Sequence, residues 1–259
     1  MIDIEFRNRS GPRNPFGSAR AIANSNYSGI SNGELVRFFS RTQLSNDDRC
    51  VHAALRSFIV DDQHPCIGAR AAFKANSYRF GIYREIASSD ATAGLARDLG
   101  SFVAEFPEIS SSFSTFIAIF ERFDGGGEFT FERKLWDQLQ ALHDMDAALS
   151  DANASKDPAS SKFAFTFAGT AFFVVGLHPD SSRLSRRFER PALVFNPRSQ
   201  FDLLRSRNQY DRFANVVRTN DITLQGSLNP NLDPGNERSE ARQYSGRAVE
   251  DNWRCPFRS

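Results

Sequence analysis

Apolar residues fall at helical spacing in four stretches of this chain. In "DDRCVHAALRSFIV", Val51, Leu55, Phe58 and Ile59 share one face, and in "TAGLARDLGSFVAEF" Leu95, Leu99, Phe102 and Phe106 do the same. "FERKLWDQLQALHDMDAAL" repeats the pattern with Phe131, Leu135, Leu139 and Leu142, and "SQFDLLRSRNQYDRFANVVRTNDITLQG" reads as one further helix. "NGELVRFFSRTQL" is expected to open a short helix, and another begins at or after Pro65, which disfavours helix at His64. Continuous apolar runs mark the strands. "FSTFIAIFER" is of buried type, "KFAFTFAGTAFFVVGLHP" turns as a hairpin at Ala168-Gly169, and "PALVFNP" is a short strand between prolines.

The resulting order, helix, helix, strand, helix, hairpin, strand, helix, predicts an α+β fold with a small, largely antiparallel sheet. Residues 1–33 are rich in Asn, Ser, Gly and Arg and are read as a flexible or loosely docked extension; residues 34–259 form the single domain. The closing "NWRCPF" group is expected to dock.

A formal net charge of +1 over 259 residues gives no support to a nucleic-acid or membrane-surface role. No run of 18 apolar residues is present, so no membrane span is expected. Three cysteines without a CxxC pair suit a reducing compartment, and the start lacks a secretory apolar segment, so a cytoplasmic protein is expected. Of 32 basic residues 28 are arginine, whose planar donor fork suits carboxylates and phosphates. Phenylalanine, at 25 residues, suits a dense core or an apolar cofactor pocket.

The usual catalytic motifs are absent. "FDGGGEF" is neither a P-loop nor a dinucleotide turn, and there is no nucleophile elbow, HExxH or EF-hand pattern. "FFVVGLHPDSSRLSRR" is more suggestive: an apolar strand ends in His178, and Arg183, Arg186 and Arg187 follow within nine residues. One imidazole, an apolar slot and arginines are what a haem needs for its iron, its ring and its propionates. A core histidine followed by a solvated basic turn explains the same residues.

The blocks "HPCIGARAAF", "FIAIFERFDGGGEFTFERKLWDQLQALHDMDA", "FFVVGLHPDSSRLSRRFERPALVFNPRSQFDLL" and "ARQYSGRAVEDNWRCPF" resemble the YqcI/YcgG family from about residue 50 to residue 257. The family includes haem-dependent N-hydroxylases of guanidino compounds in the cycloserine and guanitoxin pathways. The resemblance implies haem b, dioxygen as co-substrate with peroxide as the alternative oxidant, an unidentified electron donor, and a guanidino or amino substrate. His178 matches the GLHP histidine and is the first choice for iron, followed by Cys66 and His64, with Cys255 last. Arg70, Arg183, Arg186 and Arg187 are propionate candidates, and Phe173 belongs to the apolar slot. Arg198 stands where relatives commonly carry histidine, so a haem sensor or carrier remains a rival reading, as does a haem-free binding domain. Glu121, Asp144 and Asp146 are the carboxylates offered to a guanidinium. An extended N-terminal arm and a docking tail are compatible with a homodimer.

Overall fold

The computed structural model describes residues 14–39, 43–61, 63–109, 112–123, 125–146, 154–232 and 238–259. A seven-stranded sheet runs through the molecule in the order β2-β1-β3-β4-β7-β6-β5. Its strands are β1 (Ser28–Ser31), β2 (Glu34–Arg37), β3 (Tyr78–Glu85), β4 (Thr115–Arg122), β5 (Phe165–Phe167), β6 (Thr170–Leu177) and β7 (Ala192–Pro197). β3 and β4 are parallel and every other pairing is antiparallel. The fold is therefore α+β and largely antiparallel, with the parallel pair joined through α4 (Ser89–Ile109). The sheet is larger than the apolar pattern shows, because β1, β2 and β3 were not distinguished in it.

Strand alternation builds two cores. Phe116, Ala118 and Phe120 of β4, Phe172 and Val174 of β6, and Leu193 and Phe195 of β7 face α4 and α5 (Gly127–Met145). There they meet Leu95, Leu99 and Phe102 of α4 and Phe131, Leu135 and Leu139 of α5, all fully buried. Ile117, Ile119, Leu177 and Ala192 face the other way, toward Val51, Leu55 and Ile59 of α2 (Asn46–Val60) and Phe73 of α3 (Ile67–Lys74). α6 (Ser199–Ser206) and α7 (Tyr210–Gln225) complete that second layer beside α3.

Helix ends follow local chemistry. Ser45 and Asp48 close α2 with a reciprocal capping box. The triple glycine delivers α5 by way of Gly125 and Gly126 at φ 77° and 98°, backbone that only glycine adopts cheaply. The long helix expected after Pro197 is two helices, broken at Asn208, whose φ is 55°. The helix expected around "NGELVRFF" is instead β2, because Leu35 and Val36 pair across a tight turn with Ile30 and Gly29.

The extension read over residues 1–33 divides. Residues 1–13 lie outside the described residues, whereas residues 14–31 are packed. Buried Asp98 of α4 accepts hydrogen bonds from Ser25 Oγ (2.5 Å), the Asn26 amide (2.6 Å) and the Tyr83 hydroxyl (2.8 Å). The Tyr27 hydroxyl donates to Glu105, and β1 then joins the sheet against β3.

The C-terminal tail docks as expected. Phe257 is buried near Trp136 and Phe163, and Arg247 reaches Glu132 of α5 at 2.7 Å. Gly176 of β6 lets α5 and the tail approach: a Cβ there would lie 2.6 Å from the Phe131 ring and 2.9 Å from the Tyr244 carbonyl. Gly176→Ala is expected to cost about 1–3 kcal/mol by overpacking, read as a lower urea midpoint. An unchanged midpoint would show that the contact yields.

Candidate functional site

Between the sheet and the helices α3, α6 and α7 lies a cavity of about 460 Å³, in the size range of sites for small organic ligands. Thr115, Phe173, Val175 and Asn196 form its floor from three strands, and Cys66, Gly68, Ala69 and Ala72 line it from the start of α3. Phe201, Phe213, Ala214 and Val217 enclose it from α6 and α7. Neither of those helices buries an apolar residue completely: Phe201, Phe213, Ala214 and Val217 face the cavity, while Leu203, Val216 and Ile222 are exposed. Gly68 keeps the wall tight, since a Cβ there would meet Phe113 at 3.2 Å and Phe213 at 3.3 Å.

The charged part of the wall is predominantly cationic. Lys162, Arg198, Arg205, Arg218 and Arg238 stand against Asp202 and Glu240. Arg205 pairs with Asp202 (2.8 Å) and Glu240 (3.8 Å), and Arg238 with Asp251 (3.2 Å). Arg198 donates to the carbonyls of Lys162 (3.1 Å) and Phe163 (3.5 Å) and, like Lys162 and Arg218, forms no ion pair among the described residues. Burial pushes the Glu240 carboxyl above its ordinary range.

Cys66 is the N-cap of α3, and its Sγ accepts the Ala69 amide at 3.4 Å. Burial raises its thiol pKa, while the Ala69 and Gly68 amides and the charge of Arg186 oppose that rise. A sulfur set in backbone N–H groups at a helix start is electrostatically suited to negative charge. It is the one thiol or imidazole on the described wall.

Of the residues singled out in the sequence, the structure brings Cys66, Phe173 and Arg198 together on this wall. His178 lies across the sheet. It is fully buried, its ring stacks on Phe131 of α5 at 4.4 Å, and neither ring nitrogen has a hydrogen-bond partner among the described residues. Strand alternation explains the separation: His178 shares parity with Phe172 and Val174, not with Phe173 and Val175. Burial lowers its pKa, which favours the neutral ring.

The arginines that follow are structural. Arg183 is buried in an ion pair with Asp221 of α7. Arg186 donates to the carbonyls of Gly176 (3.2 Å) and Gln243 (3.3 Å), and burial brings its pKa down to about 10. Arg187 is exposed and donates to the Ser181 carbonyl at 2.8 Å. Arg70 sits half-buried on α3, off the cavity wall.

His64 is buried between α2 and α3, edge-on to Phe58 at 5.3 Å, and it too is off the wall. Glu121, Asp144 and Asp146 are elsewhere as well. Glu121 is exposed at the end of β4, Asp144 accepts from Gln140 (2.9 Å), and Asp146 accepts the Ala168 amide of the hairpin turn (2.7 Å). The carboxylates on the wall, Asp202 and Glu240, went unnoticed in the sequence, as did Phe201, Phe213 and Arg218. An amphipathic helix looks the same in sequence whether its apolar side meets a core or a cavity.

Three buried groups give the molecule a defined acid response. Burial lowers His52 and His64 to about 4 and raises Asp98 to about 6. A histidine held below its unfolded value contributes stability that is present above pH 6.5 and lost as pH falls toward 4. Asp98, raised above its unfolded value, does the reverse between pH 6 and 4. Each group is worth about 3 kcal/mol at one unit per 1.36 kcal/mol, so two against one leaves a net loss of about 3 kcal/mol on acidification. The urea midpoint is expected to fall between pH 6.5 and 4; a rise would contradict the assignment.

No described helix is long and apolar enough to cross a membrane. Among the described residues no three His, Cys, Asp or Glu side chains converge as a metal cage. No curated protein and no solved structure matches the chain. A family model does: that of the YqcI/YcgG family, over residues 55–258, a span that takes in α3, the strands β3 to β7, α6, α7 and the docked tail. The chain belongs to the YqcI/YcgG family.

Proposed function

We propose that the cavity under α6 and α7 holds haem b and that the protein is an N-oxygenase of a small guanidino or amino substrate. The observation that carries this reading is the composition of one wall: aromatic and aliphatic surfaces and, among the described residues, a single thiol and three cations without an ion-pair partner. These suit, in turn, a flat apolar macrocycle, its iron and its two propionates. A macrocycle brings four nitrogens of its own, so one protein ligand suffices.

Cys66 rather than His178 would hold the iron, since it alone of the two lines the cavity. The amides of Gly68 and Ala69 at the start of α3 support its thiolate. Arg198, Arg218 and Lys162 would meet the propionates. Phe113, Phe173 and Phe213 exclude water from the interior. Glu240, half-buried beside Arg205, offers the carboxylate that a guanidinium requires for orientation. Bound haem supplies the activation of dioxygen; the chain supplies ligand, orientation and polarity. Three free cysteines are in keeping with work in a reducing, cytoplasmic setting.

Amide exchange tests the location. Adding one equivalent of haemin is expected to slow exchange in α3, α6 and α7, whose apolar sides the ligand would cover, and to leave α4 and α5 unchanged. Protection confined to α5 and the end of β6 would place the ligand at His178 and overturn this assignment.

A further inference from the structure

Positive charge is concentrated on the α6–α7 side, and part of it is not used in ion pairs among the described residues. Between residues 198 and 218 five arginines stand against two aspartates, although the whole chain carries only +1. Arg207 and Arg212 are exposed and form no ion pair among the described residues, and Lys162 adds a further exposed cation at the cavity mouth. Leu203 and Val216 of the same two helices are also exposed, at 42% and 38% of their full surface. Exposed apolar and cationic side chains together, on the helices that enclose the cavity, have the make-up of a docking surface for an acidic protein.

We propose that this face receives the electron donor, an acidic one-electron carrier protein of flavin or iron–sulfur type. The proposal rests on the haem reading of the cavity. Hydroxylation by dioxygen breaks one N–H bond and forms one N–OH; the second oxygen atom leaves as water, and two electrons and two protons are consumed. Those electrons must enter from outside the chain. Encounter with a carrier of opposite charge raises association rates without requiring a large interface, as suits a partner that must leave between electrons.

The test is stopped-flow reduction of haemin-loaded protein by a reduced flavodoxin and by a reduced [2Fe–2S] ferredoxin, both strongly acidic. The expected second-order rate falls about tenfold or more from roughly 20 mM to 500 mM salt, as screening shortens the reach of surface charge. Arg207→Glu combined with Arg212→Glu is expected to slow reduction about tenfold at low salt. Both positions lie off the cavity wall, so the same variant should bind haemin normally and be reduced completely by dithionite. A rate insensitive both to salt and to the double reversal overturns the docking surface and leaves the haem assignment standing. Protein that takes up no haemin refutes the haem assignment itself, and the docking proposal with it. Turnover supported by hydrogen peroxide but by neither carrier also counts against the proposal.

Discussion

Cys66→Ser protein is expected to lose haemin affinity by more than about a hundred-fold, the upper range for removing a mere supporting residue around a metal. His178→Ala protein is expected to bind one equivalent with nearly unchanged affinity. The contrast follows from where the sheet places the two side chains. Cys66 opens onto the cavity at the start of α3, whereas His178 is stacked under Phe131 on the opposite face. His178→Ala will still matter for stability, at about 2 kcal/mol, because it leaves a gap beside Phe131. A urea titration of the same variant separates that loss from any change in binding. Haemin affinity lost with His178 and retained without Cys66 would reverse the ligand assignment.

The second large effect concerns the tail. Arg247 and Glu132 are both buried, with Nε and Oε2 2.7 Å apart, and Glu250 takes the other side of the same guanidinium at 2.8 Å. Arg247→Met removes the cation and leaves the Glu132 carboxylate buried with, among the described residues, only the Ser245 hydroxyl, at 3.3 Å, to serve it. Breaking one partner of such a pair costs about 3–5 kcal/mol, most of it the penalty on the charge left behind. The expected result is a much lower urea midpoint and loss of tail docking, seen as a change in fluorescence of Trp136 and Trp253, which pack 6.2 Å apart. Adding Glu132→Gln to Arg247→Met should recover part of the loss, since no charge is then buried. Arg247→Met with wild-type stability would mean that the tail is held by its aromatic contacts alone.

What could be read from the chain depended on how long each pattern runs. Phe131, Leu135, Leu139 and Leu142 repeat over three turns, and all four are fully buried in α5 as the spacing requires. The hairpin at Ala168-Gly169 was legible from its turn residues, both of which have positive φ. β2 was not, because four residues are too few to separate alternation from helical spacing. β3 is buried on both faces over its first six residues, so "YRFGIY" shows no alternation to announce a strand.

The site was legible in part for the same reasons. Cys66, Phe173 and Arg198 belong to separate blocks, and only the fold shows that they meet. His178 drew attention through its arginine-rich surroundings, yet its parity with Val174 instead of Val175 already placed it on the other side of a strand. The arginines near it are consumed by Asp221 and by backbone carbonyls. Two of the five cations that reach the cavity, Arg205 and Arg218, come from α6 and α7, where a charged helix face is ordinary in sequence, and the other three come from separate loops and the tail.

The most direct test of the haem-binding cavity is an absorption spectrum of the purified chain reconstituted with haemin, oxidised, then reduced under carbon monoxide. Cys66 ligation predicts an intense Soret band that moves on carbon monoxide binding to the long-wavelength position of a thiolate-bound iron. The short-wavelength carbon monoxide form of histidine-bound iron would contradict Cys66 as the ligand, and a spectrum identical to free haemin would contradict the cavity's assignment to haem.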